Sequence, residues 1–186
     1  NDAVTKTAMT ETEAIQKRVI RALVSAQILG GIGLGATVSV GALLAAEVSG
    51  SPAWSGMAAT MGTLGAALIA VPLARSAQAR GRGVALSIGS VVAALGAIMA
   101  TVAAALTNFP LLLVGLTLTG AGSATNLQAR FAATDLAQPL HRARQLSLVV
   151  WSTTIGAVLG PNLIEPGELI GASIGLPTLT GPFVFT

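Results

Sequence analysis

VALSIGSVVAALGAIMATVAAAL, running from Val84 to Leu106, is the stretch that decides the fold. It is entered through Arg80-Gly81-Arg82-Gly83 and left through Thr107-Asn108-Phe109-Pro110. It contains no acidic or basic residue, and as a helix it is long enough to cross the hydrocarbon core of a bilayer, which takes roughly 20 apolar residues. It lacks the alternation of polar and apolar residues that marks a membrane barrel strand, so a helix is implied. Four further runs have the same character: Ala22 to Ala46, Trp54 to Ala74, Leu111 to Ala129 and Leu146 to Ile164. The breaks between them carry turn residues, as in Ser49-Gly50-Ser51-Pro52.

Composition agrees with this reading. Of the 186 residues, 53% are apolar and 9% charged, whereas a soluble domain carries about 25% charge. The chain has no cysteine and one histidine, His141. A disulfide framework, thiol catalysis, a Cys-bound zinc and a multi-His metal centre are therefore excluded within it. The net charge of +3 would suit a nucleic-acid partner, but 3% aromatic content and the absence of tyrosine leave little to stack on bases. No cofactor and no nucleic acid are expected. The fold class is an all-α polytopic membrane protein.

The placement of charge gives the orientation. Lys6, Lys17, Arg18 and Arg21 precede the first run; Arg75, Arg80 and Arg82 lie between the second and third; Arg130, Arg142 and Arg144 lie between the fourth and fifth. These are all ten basic residues, and the alternate connections have none. Basic residues stay cytoplasmic, so residues 1–21 form a cytoplasmic segment and residues 22–186 a transmembrane bundle in the cytoplasmic (inner) membrane. Thr10 and Glu13 fit a capping box, which predicts a helix starting near Thr10. Beyond Leu176-Pro177 the chain turns apolar again, with Leu179 and Phe183-Val184-Phe185. That predicts the start of a sixth span from about residue 179, and a longer polypeptide.

Small residues at four-residue spacing let helix backbones approach closely in lipid. Gly31/Gly35 and Gly156/Gly160 have this spacing, and Gly62/Ala66 and Gly120/Ala124 are weaker versions. Gly31-Ile32-Gly33-Leu34-Gly35-Ala36 also satisfies the dinucleotide fingerprint, but it sits inside an apolar run without the strand that motif requires.

Polar groups inside spans are costly and suggest function. Gln27, Asn126, Gln128 and Trp151 fall in the cytoplasmic halves of their runs and are the substrate-cavity candidates; simple interhelical hydrogen bonding is the alternative for Gln27 and Asn126. Ser152, Thr153 and Thr154 carry less weight, because such hydroxyls usually bond their own helix. Arg130 is either a snorkelling interfacial residue or a cation at the cavity mouth. Asp135 has Arg75, Arg80, Arg82 and the bases of its own connection as potential partners. No nucleophile–base pair, carboxylate pair or metal cluster is visible where a reaction could occur, so the chain is not read as an enzyme.

Gly156-Ala157-Val158-Leu159-Gly160-Pro161 resembles the antiporter signature G-x-x-x-G-P-x-x-G-G of the major facilitator superfamily, with Ile164 and Glu165 in place of the final glycines. Leu73, Ala74, Gly81 and Arg82 echo the short basic connection of that superfamily between spans two and three, where Arg75 replaces the usual acid. The resemblance implies the N-terminal six-helix half of that fold, with its sixth helix truncated and the C-terminal half of the polypeptide missing. It implies inverted three-span repeats with substrate bound between halves. It also implies an inner-gate charge network drawn from Arg75, Arg80, Gly81, Arg82, Arg130 and Asp135. The function it implies is proton-coupled efflux of a small molecule by alternating access. The competing reading is a non-transporting membrane assembly or scaffold subunit.

Overall fold

The computed structural model describes residues 2–135 and 142–173. Its elements are α1 (Asp2–Ser49), a 3₁₀ turn (Pro52–Trp54), α2 (Met57–Arg80), α3 (Arg82–Ala105), α4 (Phe109–Asp135), α5 (Arg142–Asn162) and α6 (Ile164–Ser173). No strand occurs among the described residues. The start of a sixth span at residue 179, and His141, lie outside the described residues.

Local chemistry explains the boundaries. After α1, Gly50 takes a left-handed φ of +71°, Ser51 accepts the Ala53 N–H, and Pro52 opens the 3₁₀ turn. Between α2 and α3 the break is Gly81 alone, at φ +92°. Its N–H closes α2 on the Ala77 carbonyl at 3.1 Å, and its own carbonyl receives the Ala85 N–H at 3.3 Å. Between α3 and α4, Thr107 sits at φ +48°, and the Asn108 side chain caps α4 by accepting the Leu111 N–H at 3.0 Å. Helix α5 ends at Asn162 because Pro166 lies four residues on. A proline ring clashes with the carbonyl four residues earlier and offers it no N–H, so the chain restarts as α6.

Two expectations are corrected here. Helix α1 begins at Asp2, so Thr10 is an interior helical residue and cannot be an N-cap. The ten-residue α6 was not foreseen, and at about 15 Å it is too short to span a bilayer. The described residues thus do not establish six spans. By length and composition, the stretches Arg18–Ser49, Pro52–Arg80 and Arg82–Ala105 could each cross a membrane. Helices α4 and α5 fall outside this group because Thr117, Thr119, Thr125, Asn126 and Gln128, and Gln145, Ser152, Thr153 and Thr154, dilute their apolar content.

The most extensive packing pairs α3 with α4, α1 with α5 and α2 with α4. The interior is built from small residues. One cluster joins Val40 and Leu44 to Ala97, Ala100, Leu112 and Leu116; another joins Leu23 to Ala129, Ala133 and Val149; a third joins Leu73 and Ala77 to Ala85 and Ala124. Large apolar side chains point outward instead, including Val38, Leu68, Ile98 and Val158. Only 17% of the most apolar window of Pro52–Arg80 is buried. So large an apolar exterior is stable in lipid and not in water.

The two glycine motifs meet each other. A Cβ built on Gly31 would lie 3.0 Å from the Gly156 Cα, and one on Gly160 would lie 2.9 Å from the Gly35 Cα. The α2–α4 crossing repeats the device: a Cβ on Gly120 would meet the Gly62 carbonyl and lie 2.7 Å from the Ala66 nitrogen. Exchanging α1 for α4 and α5 for α2 turns one crossing into the other. That exchange is the relation expected between inverted repeats.

Candidate substrate cavity and inner charge cluster

A cavity of about 300 Å³ opens between α1, α3 and α4. Gln27, Leu34 and Thr37 of α1, Ser90 of α3, and Thr119 and Asn126 of α4 are among its lining residues. A second cavity of about 360 Å³ lies between α1, α2 and α4 and shares Leu34, Thr37 and Thr119 with the first. No charged residue lines either one.

Gln27 and Asn126 are brought together by α5. The Thr153 hydroxyl stands 2.8 Å from Gln27 Oε1 and 3.4 Å from Asn126 Oδ1. It also stands 3.1 Å from the Val149 carbonyl of its own helix. One hydroxyl proton faces three acceptors, and the shortest contact is to Gln27. Thr153 is the residue that the sequence reading undervalued. Its neighbours follow the usual rule, Ser152 bonding the Leu148 carbonyl at 2.6 Å and Thr154 the Val150 carbonyl at 3.2 Å. A signal was nonetheless present: Thr153, Gly156 and Gly160 share one helical face by their spacing, so the glycine seam that seats α5 on α1 also delivers the hydroxyl to Gln27.

Gln128 does not line the cavity. Its Oε1 accepts from Arg82 Nη1 at 3.0 Å, and the Arg82 guanidinium lies 5.7 Å above the Phe131 ring, within cation–π range. Trp151 is 66% exposed and lines neither cavity. A contact between α1 and α5 that the sequence did not suggest is the hydrogen bond from Gln16 Nε2 to Gln145 Oε1, at 2.6 Å.

The remaining charge-network candidates lie on α2, at the α2–α3 break and on α4. Arg75 and Arg80 are exposed near the end of α2, next to Gly81. Arg130 is half-buried, and its Nε is buried without a hydrogen-bond partner among the described residues. Asp135 closes α4, but its side chain lies outside what is described.

At the other end of α5, Pro161 has no N–H for the Ala157 carbonyl. That carbonyl faces Gly35, where an added Cβ would stand 2.7 Å from it and 3.2 Å from Pro161 Cδ. The glycine and proline positions of the antiporter-like motif therefore pack directly against the Gly31/Gly35 face of α1.

No family model matches the chain, and no solved structure matches it. Curated sequences do. An uncharacterized MFS-type transporter of Bacillus subtilis, YddS, is 42% identical over 172 residues, 92% of this chain and 39% of that protein. A second from the same organism, YdeG, is also 42% identical over 172 residues, 40% of its length. The riboflavin transporter RfnT of Brucella anthropi is 31% identical over 157 residues, 84% of this chain and 39% of that protein. The chain thus spans about two fifths of the length of the curated relatives it matches. Over 92% of its length, the chain is similar to proteins named as MFS-type transporters.

Proposed function

We propose that the chain forms the N-terminal half of a secondary active transporter that moves a small molecule across the cytoplasmic membrane by alternating access. Coupling to protons in the direction of efflux is part of the proposal, as is a cytoplasmic N-terminus. The observation that carries it is the 42% identity to MFS-type transporters over 92% of the chain. The all-helical fold supports it through the exchange symmetry of its two crossings, and the confinement of all ten basic residues to alternate connections supports the orientation. The glycine–proline seam between α1 and α5 supports efflux by its resemblance to the antiporter signature. A relative named as a riboflavin transporter supports a neutral organic substrate.

The test is transport by the intact polypeptide in inside-out membrane vesicles, with and without a proton gradient. Solute accumulation that collapses on addition of a protonophore is the expected result. Accumulation equal to that of empty vesicles for every solute would refute transport; accumulation indifferent to the gradient would refute proton coupling alone.

A further inference from the structure

Gln27 and Asn126 are 5% and 8% exposed, and both line the 300 Å³ cavity. Their carboxamide oxygens are turned towards the Thr153 hydroxyl. A carboxamide is planar, with its NH₂ opposed to its oxygen. Both NH₂ groups are therefore turned away from Thr153, and neither donates a hydrogen bond among the described residues. Neither NH₂ is sealed off: both residues line the cavity, and neither nitrogen is among the fully buried atoms without a partner. Two donor groups that open onto one cavity wall favour an occupant that brings acceptors.

The rest of the wall defines the occupant further. The hydroxyls of Thr37, Thr119 and Thr125 give their protons to the Gly33, Leu116 and Ala121 carbonyls at 2.8, 2.7 and 2.8 Å. They offer the cavity lone pairs only. Leu23, Leu29, Leu34, Leu86 and Ala93 supply apolar surface. With no charged lining residue, an ion entering would lose its hydration without gaining a counter-charge, which is costly.

We infer that this cavity binds a neutral, largely apolar small molecule through carbonyl-type acceptors on the NH₂ groups of Gln27 and Asn126, and that Thr153 is the positioning residue that aims Gln27. The inference rests on the transporter reading above, because it takes the cavity to lie on the substrate's path. Thr153 touches no ligand in this scheme. It fixes which edge of the Gln27 carboxamide the ligand meets.

The experiment measures KM and kcat for the intact polypeptide in vesicles with four probes: riboflavin and uridine, both neutral with ring carbonyls, and riboflavin 5′-phosphate and tetraphenylphosphonium, both charged. A neutral probe should be moved in preference to the charged ones. Gln27→Met and Asn126→Leu keep side-chain bulk without the donor; each should raise KM about tenfold, the equivalent of 1.4 kcal/mol, with kcat within about twofold. Thr153→Val should raise KM similarly, and Thr153→Ser, which restores the hydroxyl, should recover it. Thermal stability of each purified variant separates a lost ligand contact from a lost fold, and Asn126→Ser provides a smaller change should the leucine variant unfold. Unchanged KM in folded Gln27→Met and Asn126→Leu overturns the inference and leaves transport standing. Equal impairment in Thr153→Ser and Thr153→Val overturns the positioning role, and preference for a charged probe overturns the ligand class. Movement of none of the four overturns the inferred ligand class, while transport itself stands or falls with the vesicle test above.

Discussion

Gly156→Ala tests the α1–α5 crossing against a neighbouring internal control. A Cβ at position 156 would lie 2.8 Å from the Gly31 Cα and 2.9 Å from the Ile32 nitrogen, and would also press on the Ile28 carbonyl. All three neighbours are backbone atoms, so no side chain can rotate away. Optimal carbon–carbon separation is about 3.5–4.0 Å, so the helices must part by about 1 Å locally, which forfeits a large fraction of the contact energy along the seam. Overpacking of this kind costs roughly 1–3 kcal/mol. Replacing glycine by alanine in a helix returns about 0.5–1 kcal/mol, which leaves a net loss of up to about 2.5 kcal/mol. Gly30 lies beside the same seam, but nothing stands within 4 Å of its added Cβ, so Gly30→Ala should be neutral or stabilising. The double variant Gly31→Ala/Gly156→Ala should lose less than the sum of its parts, since a seam opened once accepts the second methyl. Thermal unfolding of the purified protein in detergent, followed by circular dichroism, reads all of these. Equal shifts for Gly156→Ala and Gly30→Ala would refute the close-packed seam, and strict additivity would refute the claim that the two glycines share one gap.

Two further outcomes follow from the connections. Asn108→Ala removes the side-chain cap on the Leu111 N–H and should destabilise the protein by about 1 kcal/mol in the same unfolding assay; an unchanged midpoint would show that the cap contributes nothing. The chain has no cysteine, so single cysteines at Ser51 and Gln78 of a polypeptide otherwise free of cysteine can be labelled selectively. A membrane-impermeant maleimide applied to intact cells should label position 51 and spare position 78, and the reverse would overturn the orientation.

Much of the helix layout was legible in the sequence because lipid imposes a one-dimensional rule: apolar runs of sufficient length become helices. The structure places helices over all five runs that the sequence marked. Gly81 and Asn108 were likewise legible as breaks, through a left-handed φ and a side-chain cap. The α5–α6 break was not foreseen, although Pro166 announces it, because hydropathy continues to Ile164 and does not register the clash of a proline ring with the carbonyl four residues earlier. The start of α1 was misplaced for a similar reason. A capping-box pattern at Thr10 and Glu13 has no force where the chain is already helical from Asp2.

The sequence by itself determined an all-helical chain with small residues at four-residue spacing, because backbone hydrogen bonding in lipid and helical periodicity are local properties. Which glycine pair meets which is not local. Only the tertiary structure decided that Gly31/Gly35 sits on Gly156/Gly160, and that decision in turn carries Thr153 to Gln27 and Asn126. It also separated the candidates that the sequence had grouped. Gln27 and Asn126 share a cavity wall, Gln128 goes to Arg82, and Trp151 faces outward. Residues on one helix differ by 100° per step, and their partners depend on how neighbouring helices are rotated about their axes. That rotation is fixed by close contact between residues far apart in the chain.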